Sequence, residues 1–147
     1  MTVLLTEINL FIVVPEYYSG FEKTLKICEE YSGFLIPSLG LHPIQGSYAV
    51  PEESLAASKA HFDEAEPFIE KHINDIVCIG ETGLDFTPKF IRKPTDKEDQ
   101  LVSFRAHIEL AKKYQIPLNI HSRSAGPQIF KLLDEYEYYN CLFHAYG

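Results

Sequence analysis

Short apolar segments alternate with longer amphipathic segments along the whole chain. The short runs predict buried strands, at residues 8–14, 34–41, 76–79, 117–120 and 140–143. The longer stretches repeat apolar residues at helical spacing and predict helices, at residues 19–31, 51–72, 95–114 and 129–136. Strands that alternate with helices indicate an α/β domain with a parallel sheet and right-handed crossovers. An open doubly wound sheet and a (β/α) barrel both fit this pattern.

Local signals set the helix boundaries. Thr95 and Glu98 have the spacing of a capping box, which predicts that a helix begins at Thr95. Pro51 suits the first position of the helix before it, and Pro67 is expected to kink that helix. No repeat or flexible linker divides the 147 residues, so we expect a single domain over residues 1–147.

Composition and cysteine usage indicate an ordinary globular protein of a reducing compartment. Hydrophobic residues make up 46% of the chain and charged residues 23%. No apolar run approaches the ~18 residues that a membrane span needs, and no basic signal-peptide start is present. Cys28, Cys78 and Cys141 are far apart in apolar segments, which predicts buried reduced thiols and an intracellular protein, cytoplasmic or nuclear.

The chain is acidic, with a net charge of −8. This argues against a broad basic surface for nucleic acid. It does not exclude a site that binds phosphate through metal ions, because such ions need negative protein ligands.

Polar residues follow the carboxyl ends of four different predicted strands: His42, Glu81, His121 and His144. In parallel α/β folds these ends share one rim, where functional sites are built. Imidazole nitrogens and carboxylate oxygens are ligands for zinc, manganese or magnesium. Each residue alone is more simply a structural or exposed side chain, but the joint pattern predicts a metal site. The remaining histidines lie in predicted helices and are assigned no role: His61, His72 and His107.

Residues beside this set add to the picture. Gly80 and Gly83 flank Glu81, and glycine lets the backbone turn tightly and approach a ligand closely. Asp85 is placed to orient a ligating histidine, unless it simply starts a turn. Arg123 follows His121 by two residues, so both side chains point the same way, and its guanidinium suits phosphate binding. A surface salt bridge is the simpler alternative for Arg123.

Four motifs occur in the order and spacing of the TatD family of metal-dependent deoxyribonucleases, within the amidohydrolase-like metal barrels. They are Gly40-Leu41-His42-Pro43, Gly80-Glu81-Thr82-Gly83-Leu84-Asp85, Pro117-Leu118-Asn119-Ile120-His121-Ser122-Arg123 and Leu142-Phe143-His144-Ala145. The segment His121-Ser122-Arg123-Ser124-Ala125-Gly126 resembles in particular the third TatD-domain paralogue of animals. The resemblance implies an α/β fold of the (β/α) TIM-barrel type and hydrolysis of phosphodiester bonds in DNA.

The resemblance also implies residue roles. Glu81 matches the family glutamate that bridges two metal ions (magnesium, manganese or zinc), and His121 and His144 match the histidines that complete one metal's ligand set. His42 matches the histidine used in substrate binding and catalysis, and Arg123 matches the phosphate-contacting arginine.

Two elements of the family pattern have no counterpart in the sequence, a first strand with His-x-His and a late strand with an aspartate ligand. The resemblance therefore implies an incomplete barrel of about five parallel strands, the second to sixth of eight. One metal site is expected to survive, and activity is expected to be impaired. The alternatives are a non-catalytic or incomplete TatD-like fragment, and an amidohydrolase-type enzyme acting on a C–N or ester bond.

Overall fold

The computed structural model describes residues 10–47 and 49–146. The elements follow one another in chain order as β1 (Phe11–Val13), α1 (Phe21–Glu30), β2 (Leu35–Pro37), β3 (Ile44–Gly46), β4 (Ser54–Ala56), α2 (Lys59–Lys71), β5 (Ile79–Asp85), α3 (Asp96–Tyr114), β6 (Leu118–Arg123), α4 (Gly126–Glu135) and β7 (Cys141–Tyr146). Short 3-10 turns lie at Tyr18–Gly20, Pro51–Glu53 and Pro88–Phe90.

The parallel strands follow the spatial order β1-β2-β5-β6-β7. Strands β1 and β2 pair in parallel, as do β5, β6 and β7. A single parallel bridge between Leu39 and Ile79 joins the two groups. The described strands form an open arc and no closed barrel, which confirms the prediction of an incomplete parallel barrel. The first residues of the strand predicted at 8–14 lie outside the described residues.

The long helix predicted at residues 51–72 is wrong in its first part. Pro51 begins a 3-10 turn, and β4 then pairs antiparallel with β3 before α2 starts at Lys59. The new helix start is fixed at Ser58, whose backbone N–H donates to His61 Nδ1 at 3.1 Å. Cross-strand pairing here outweighs the helical spacing of the apolar residues. Helix α2 continues through Pro67 to Lys71.

The capping box predicted at Thr95 does not form. Thr95 has helical backbone angles, φ −85° and ψ −17°, and its side chain makes no cap bond, whereas a capping residue needs an extended backbone. The Asp96 carboxylate instead accepts the backbone N–H groups of Arg92 and Lys93, each at 2.7 Å. The helix still begins within one residue of the predicted position.

The core lies between the strands and one face of each helix. Helix α3 buries Phe104, Ile108 and Ala111 against the sheet, and the same face buries Gln100 and His107. All three cysteines are free thiols, as predicted; Cys28 and Cys78 are buried and Cys141 is half-buried. No helix in the described ranges is long and apolar enough to cross a membrane.

Candidate metal centre

Strands β5 and β7 each carry one extra residue at the predicted rim. Gly80 pairs with Asn119 and Thr82 with Ile120, so Glu81 has no partner in β6. Likewise, the register between β6 and β7 skips one residue of β7, His144. A bulge redirects the side chain of its extra residue. The sequence prediction ended these strands before Glu81 and His144, but both residues lie inside them.

The glycines of this region allow backbones to approach each other rather than a ligand. A Cβ atom at Gly40 would lie 2.5 Å from the Cα atom of Gly80. A Cβ atom at Gly83 would collide with the carbonyl oxygen of His121, and Gly83 has φ +140°. The strand that carries Glu81 can therefore lie this close to the segment of Gly40 on one side and to the strand of His121 on the other only because these positions lack side chains.

Glu81 is surrounded by imidazole rings. Its Oε1 atom accepts hydrogen bonds from His121 Nδ1 at 2.8 Å and from His144 Nε2 at 2.7 Å. His42 Nε2 lies 3.7 Å from the same oxygen. The His42 and His121 ring centroids are 4.5 Å apart, and those of His121 and His144 are 5.9 Å apart. The structure thus brings together all four residues that the strand ends predicted.

The second nitrogen of each ring faces another group. The backbone N–H of Ile44 donates to His42 Nδ1 at 3.0 Å. The Nδ1 atom of His144 lies 2.8 Å from the side-chain oxygen of Asn119. His121 Nε2 lies 3.4 Å from Asp85 Oδ2. Such outer contacts fix ring orientation in metal sites.

Asp85 and Arg123 lie at the edge of the cluster. Asp85 is fully buried, and its Oδ1 accepts the backbone N–H of Thr87 at 2.9 Å. Arg123 ends β6 with its side chain 44% exposed, and its guanidinium lies 3.5 Å from Asp85 Oδ2. The arginine therefore reaches both the buried carboxylate and solvent above the site.

Burial and mutual charge shift the pKa values of the cluster. For Glu81, burial raises the pKa, but the hydrogen bond from His121 and the charges of the three histidines outweigh it and hold the pKa below its usual value. For His121, burial lowers the pKa, but the Asp85 and Glu81 carboxylates beside its ring outweigh burial and raise the pKa above its usual value. Burial, with the neighbouring His121, lowers the pKa of His42. The lowered pKa of Glu81 keeps its carboxylate ionised, which is the state that a metal ligand needs.

The donor set fits a divalent cation. His42, Glu81 and His121 each offer one ligand atom, and these atoms lie within 4.8 Å of one another. His144 reaches the same carboxylate oxygen, so the predicted set of Glu81, His121 and His144 is also assembled. Within the described ranges only histidines pair with Glu81, so no lysine or arginine occupies the position of a cation.

Helix α3 supplies two buried residues that the sequence reasoning missed. The backbone N–H of Leu41, next to His42, donates to His107 Nε2 at 3.2 Å, and His107 Nδ1 donates to the Ser103 carbonyl at 2.8 Å. Burial lowers the pKa of His107 to about 4, so the ring is neutral. His107 was expected to be a solvated or partly packed side chain, which is wrong because it is fully buried; its place among the apolar positions of α3 was the available signal.

The Gln100 side chain forms two hydrogen bonds with the backbone of Asp85. Its side-chain oxygen accepts the Asp85 N–H at 2.8 Å, and its side-chain nitrogen donates to the Asp85 carbonyl at 3.0 Å. Together with His107, it ties α3 to two segments that carry site residues. No sequence motif marks Gln100, because its role depends on which backbone it faces.

Comparison with known proteins places these residues in context. Residues 4–147 match the family model described as TatD related DNase. The chain is 39% identical over 135 residues to human deoxyribonuclease TATDN3, covering 92% of this chain and 48% of that protein. It is 31% identical over 129 residues to the uncharacterized metal-dependent hydrolase YabD of Bacillus subtilis, covering 88% of this chain and 45% of that protein.

A solved structure shares the fold. The TatD homolog YjjV of Escherichia coli superposes with a TM-score of 0.68 at 25% identity, covering 88% of this chain and 45% of that one. The chain thus spans about half the length of the curated relatives that it matches.

Proposed function

Because the chain belongs to the TatD family of DNases, we propose that its strand-end cluster binds a divalent metal ion and serves the hydrolysis of phosphodiester bonds in DNA. One observation carries this proposal. The Glu81 carboxylate lies within 3.7 Å of an imidazole nitrogen from each of three histidines, His42, His121 and His144.

We assign metal binding to Glu81, His121 and His144. Two imidazoles and a carboxylate are a sufficient protein ligand set for a catalytic divalent ion, because they leave coordination positions open. A bound ion would polarise a phosphoryl oxygen and lower the pKa of a water molecule. In this role Glu81 is a ligand whose low pKa keeps it ionised.

We assign substrate contact to Arg123 and His42. The half-exposed guanidinium of Arg123 stands at the open side of the cluster, where it can hold two phosphate oxygens. The buried His42 faces Glu81 and can donate to charge that develops on phosphate in the transition state. A planar guanidinium favours a phosphodiester over the C–N or ester bonds of other amidohydrolase-like enzymes.

Asp85 is assigned to positioning. Its carboxylate faces the ring nitrogen of His121 that points away from Glu81, and Gln100 holds its backbone. This arrangement keeps the other ring nitrogen of His121 directed at the cluster.

Catalytic competence of this chain by itself is a separate question. The family resemblance implies two metal ions, and a single cluster of candidate ligands is found in the described part of the chain. Losing one of two ions costs several kcal/mol of transition-state stabilisation, and each ~1.4 kcal/mol is a factor of ten in rate. We therefore predict that the 147-residue chain alone digests DNA at least about a hundredfold more slowly than the human relative.

The assay is digestion of 3′-labelled DNA with magnesium or manganese, and the Glu81→Ala variant reports contaminating nuclease. Slow, metal-dependent digestion that disappears in Glu81→Ala supports the proposed function. Digestion that persists unchanged in Glu81→Ala contradicts it. Digestion as fast as that of the human relative, but lost in the variant, contradicts only the expected impairment.

A further inference from the structure

The segment between β5 and α3 is basic in a chain that is otherwise acidic. Residues 86–97, called the basic loop below, carry four basic side chains and one acidic one, for a local net charge of +3. The whole chain has a net charge of −8. The four basic residues are all exposed: Lys89, Arg92, Lys93 and Lys97.

The basic loop starts at the rim that carries the metal centre. Its first residue, Phe86, directly follows Asp85, and its last, Lys97, lies in the first turn of α3. The ammonium of Lys97 lies 5.1 Å from the centre of the Phe86 ring. Asp85, the residue before Phe86, lies 3.5 Å from the Arg123 guanidinium, so the basic loop leaves β5 directly beside a residue of the site.

The conformation of the basic loop is fixed by its own contacts. The Arg92 guanidinium donates to the carbonyls of Pro51, Glu52 and Ser54. The Asp96 carboxylate accepts two backbone N–H groups of the loop, and Phe90 is buried. Arg92 is therefore structural, and the backbone that carries the other basic residues is ordered before any ligand arrives.

Two of these cations have no carboxylate partner. Neither the Lys93 nor the Lys97 ammonium forms an ion pair with a described residue, in contrast to Lys113, which pairs with Glu70. A phosphate can bind such an ammonium without displacing an existing ion pair. The acidic remainder of the chain repels a polyanion such as DNA. The electrostatic field of the protein therefore favours the approach of DNA at the basic loop.

We propose that the basic loop binds backbone phosphates of a DNA strand on one side of the phosphodiester held at the metal centre, through Lys93 and Lys97. This inference rests on the proposed function of the centre and deepens it, because it makes the substrate an extended strand and not a single phosphodiester. A strand carries one charge per ~3.4 Å of its axis, so an extended strand presents further phosphates beyond the one held at the metal centre.

The test is binding of a fluorescein-labelled oligothymidylate of about twelve nucleotides, measured by anisotropy in EDTA over a range of salt concentrations. The first variant combines Lys93→Gln and Lys97→Gln. The matched control combines Lys112→Gln and Lys113→Gln, which changes the net charge equally at the opposite end of α3, about 24 Å away. Circular dichroism verifies that both variants are folded.

We expect the Lys93/Lys97 variant to bind about tenfold more weakly and to reduce the slope of log K against log salt by about 1.4, which is two single-strand phosphate contacts. The control should stay within about twofold of the wild type. Equal weakening in both variants, no weakening in either, or no binding by the wild type at low salt overturns the proposal. The binding titration contains no metal and is therefore independent of cleavage. If the wild type does not cleave DNA but the Lys93/Lys97 variant still binds more weakly than the control, only the proposed function is overturned.

Discussion

At the residue scale, the centre is built from histidines whose two ring nitrogens have different partners. One nitrogen of each ring faces Glu81, and the other faces a second protein group, which is Ile44 for His42, Asp85 for His121 and Asn119 for His144. This division orients the rings before a ligand arrives, which reduces the cost of assembling a metal site. The type and place of the four residues were predictable from sequence, as was Asp85 as an outer partner, but Ile44 and Asn119 were not.

The assignment of His144 to the metal and of His42 to the substrate can be separated experimentally. His144 Nε2 lies 2.7 Å from Glu81 Oε1 and His42 Nε2 lies 3.7 Å away. We expect His144→Ala to weaken manganese binding by at least about tenfold, the loss typical of a removed ligand or its support. His42→Ala should change the affinity by less than about threefold but lower the rate of DNA cleavage. If the His42→Ala protein no longer binds manganese, His42 and not His144 is the metal ligand.

His107 should make the fold sensitive to acid. Its pKa is lowered to about 4 in the folded protein, whereas an unfolded histidine titrates near 6.5, so the unfolded chain binds more protons between these values. The unfolding free energy should therefore fall as the pH drops from about 6.5 to about 4, by about 3 kcal/mol from this residue alone.

Urea unfolding of the wild type and His107→Gln at pH 7 and pH 4 measures this contribution. Glutamine keeps an acceptor for the Leu41 N–H but does not titrate. The difference in unfolding free energy between the two proteins should shift in favour of His107→Gln at pH 4. A difference that is the same at both pH values would show that His107 is not buried in its neutral form.

At the element scale, apolar runs were enough to locate the parallel strands, and helical periodicity located α1, α3 and α4. Periodicity failed at residues 51–58, where the pairing of β4 with β3 decides the structure. The predicted strands before Glu81 and His144 ended too early, because a glutamate or histidine within a strand looks like a loop residue until its neighbour is known. The strand predicted at 34–41 ended too late, since β2 ends at Pro37 and His42 lies in the segment that follows it. The bulges at Glu81 and His144 depend on the register between strands, which a single sequence does not contain.

Close contact between β5 and β6 makes Gly83 irreplaceable. Gly83→Ala places a Cβ atom against the His121 carbonyl oxygen at φ +140°, and we expect a loss of more than about 3 kcal/mol of unfolding free energy or failure to fold. Gly33→Ala is the matched control, because Gly33 has φ +86° and no atom within 4 Å of the added Cβ. The control should lose only about 1–2 kcal/mol.

Urea midpoints followed by circular dichroism compare the two glycine variants. Equal losses in Gly83→Ala and Gly33→Ala would mean that backbone conformation alone, and not the contact between the strands, sets the cost at Gly83.

At the scale of the whole molecule, the fold decides where polar and charged residues gather. Within the described residues, the parallel strands and the segment after β2 bring four dispersed polar residues to one rim, as the order of strands and helices predicted. The net charge of −8 predicted no broad basic surface, but a whole-chain charge conceals the local basic loop. A whole-chain average cannot show where charges gather, because this depends on which segment joins which strand to which helix.

The most direct test of the metal centre is calorimetric titration of the 147-residue chain with manganese or zinc, in parallel with the Glu81→Ala variant. We predict one site per chain, with an affinity that falls as the pH is lowered because protons compete with the metal for imidazole nitrogens. Glu81→Ala should abolish binding, since it removes the carboxylate that all three histidines face. Two equal independent sites, or binding that Glu81→Ala leaves unchanged, would contradict the account.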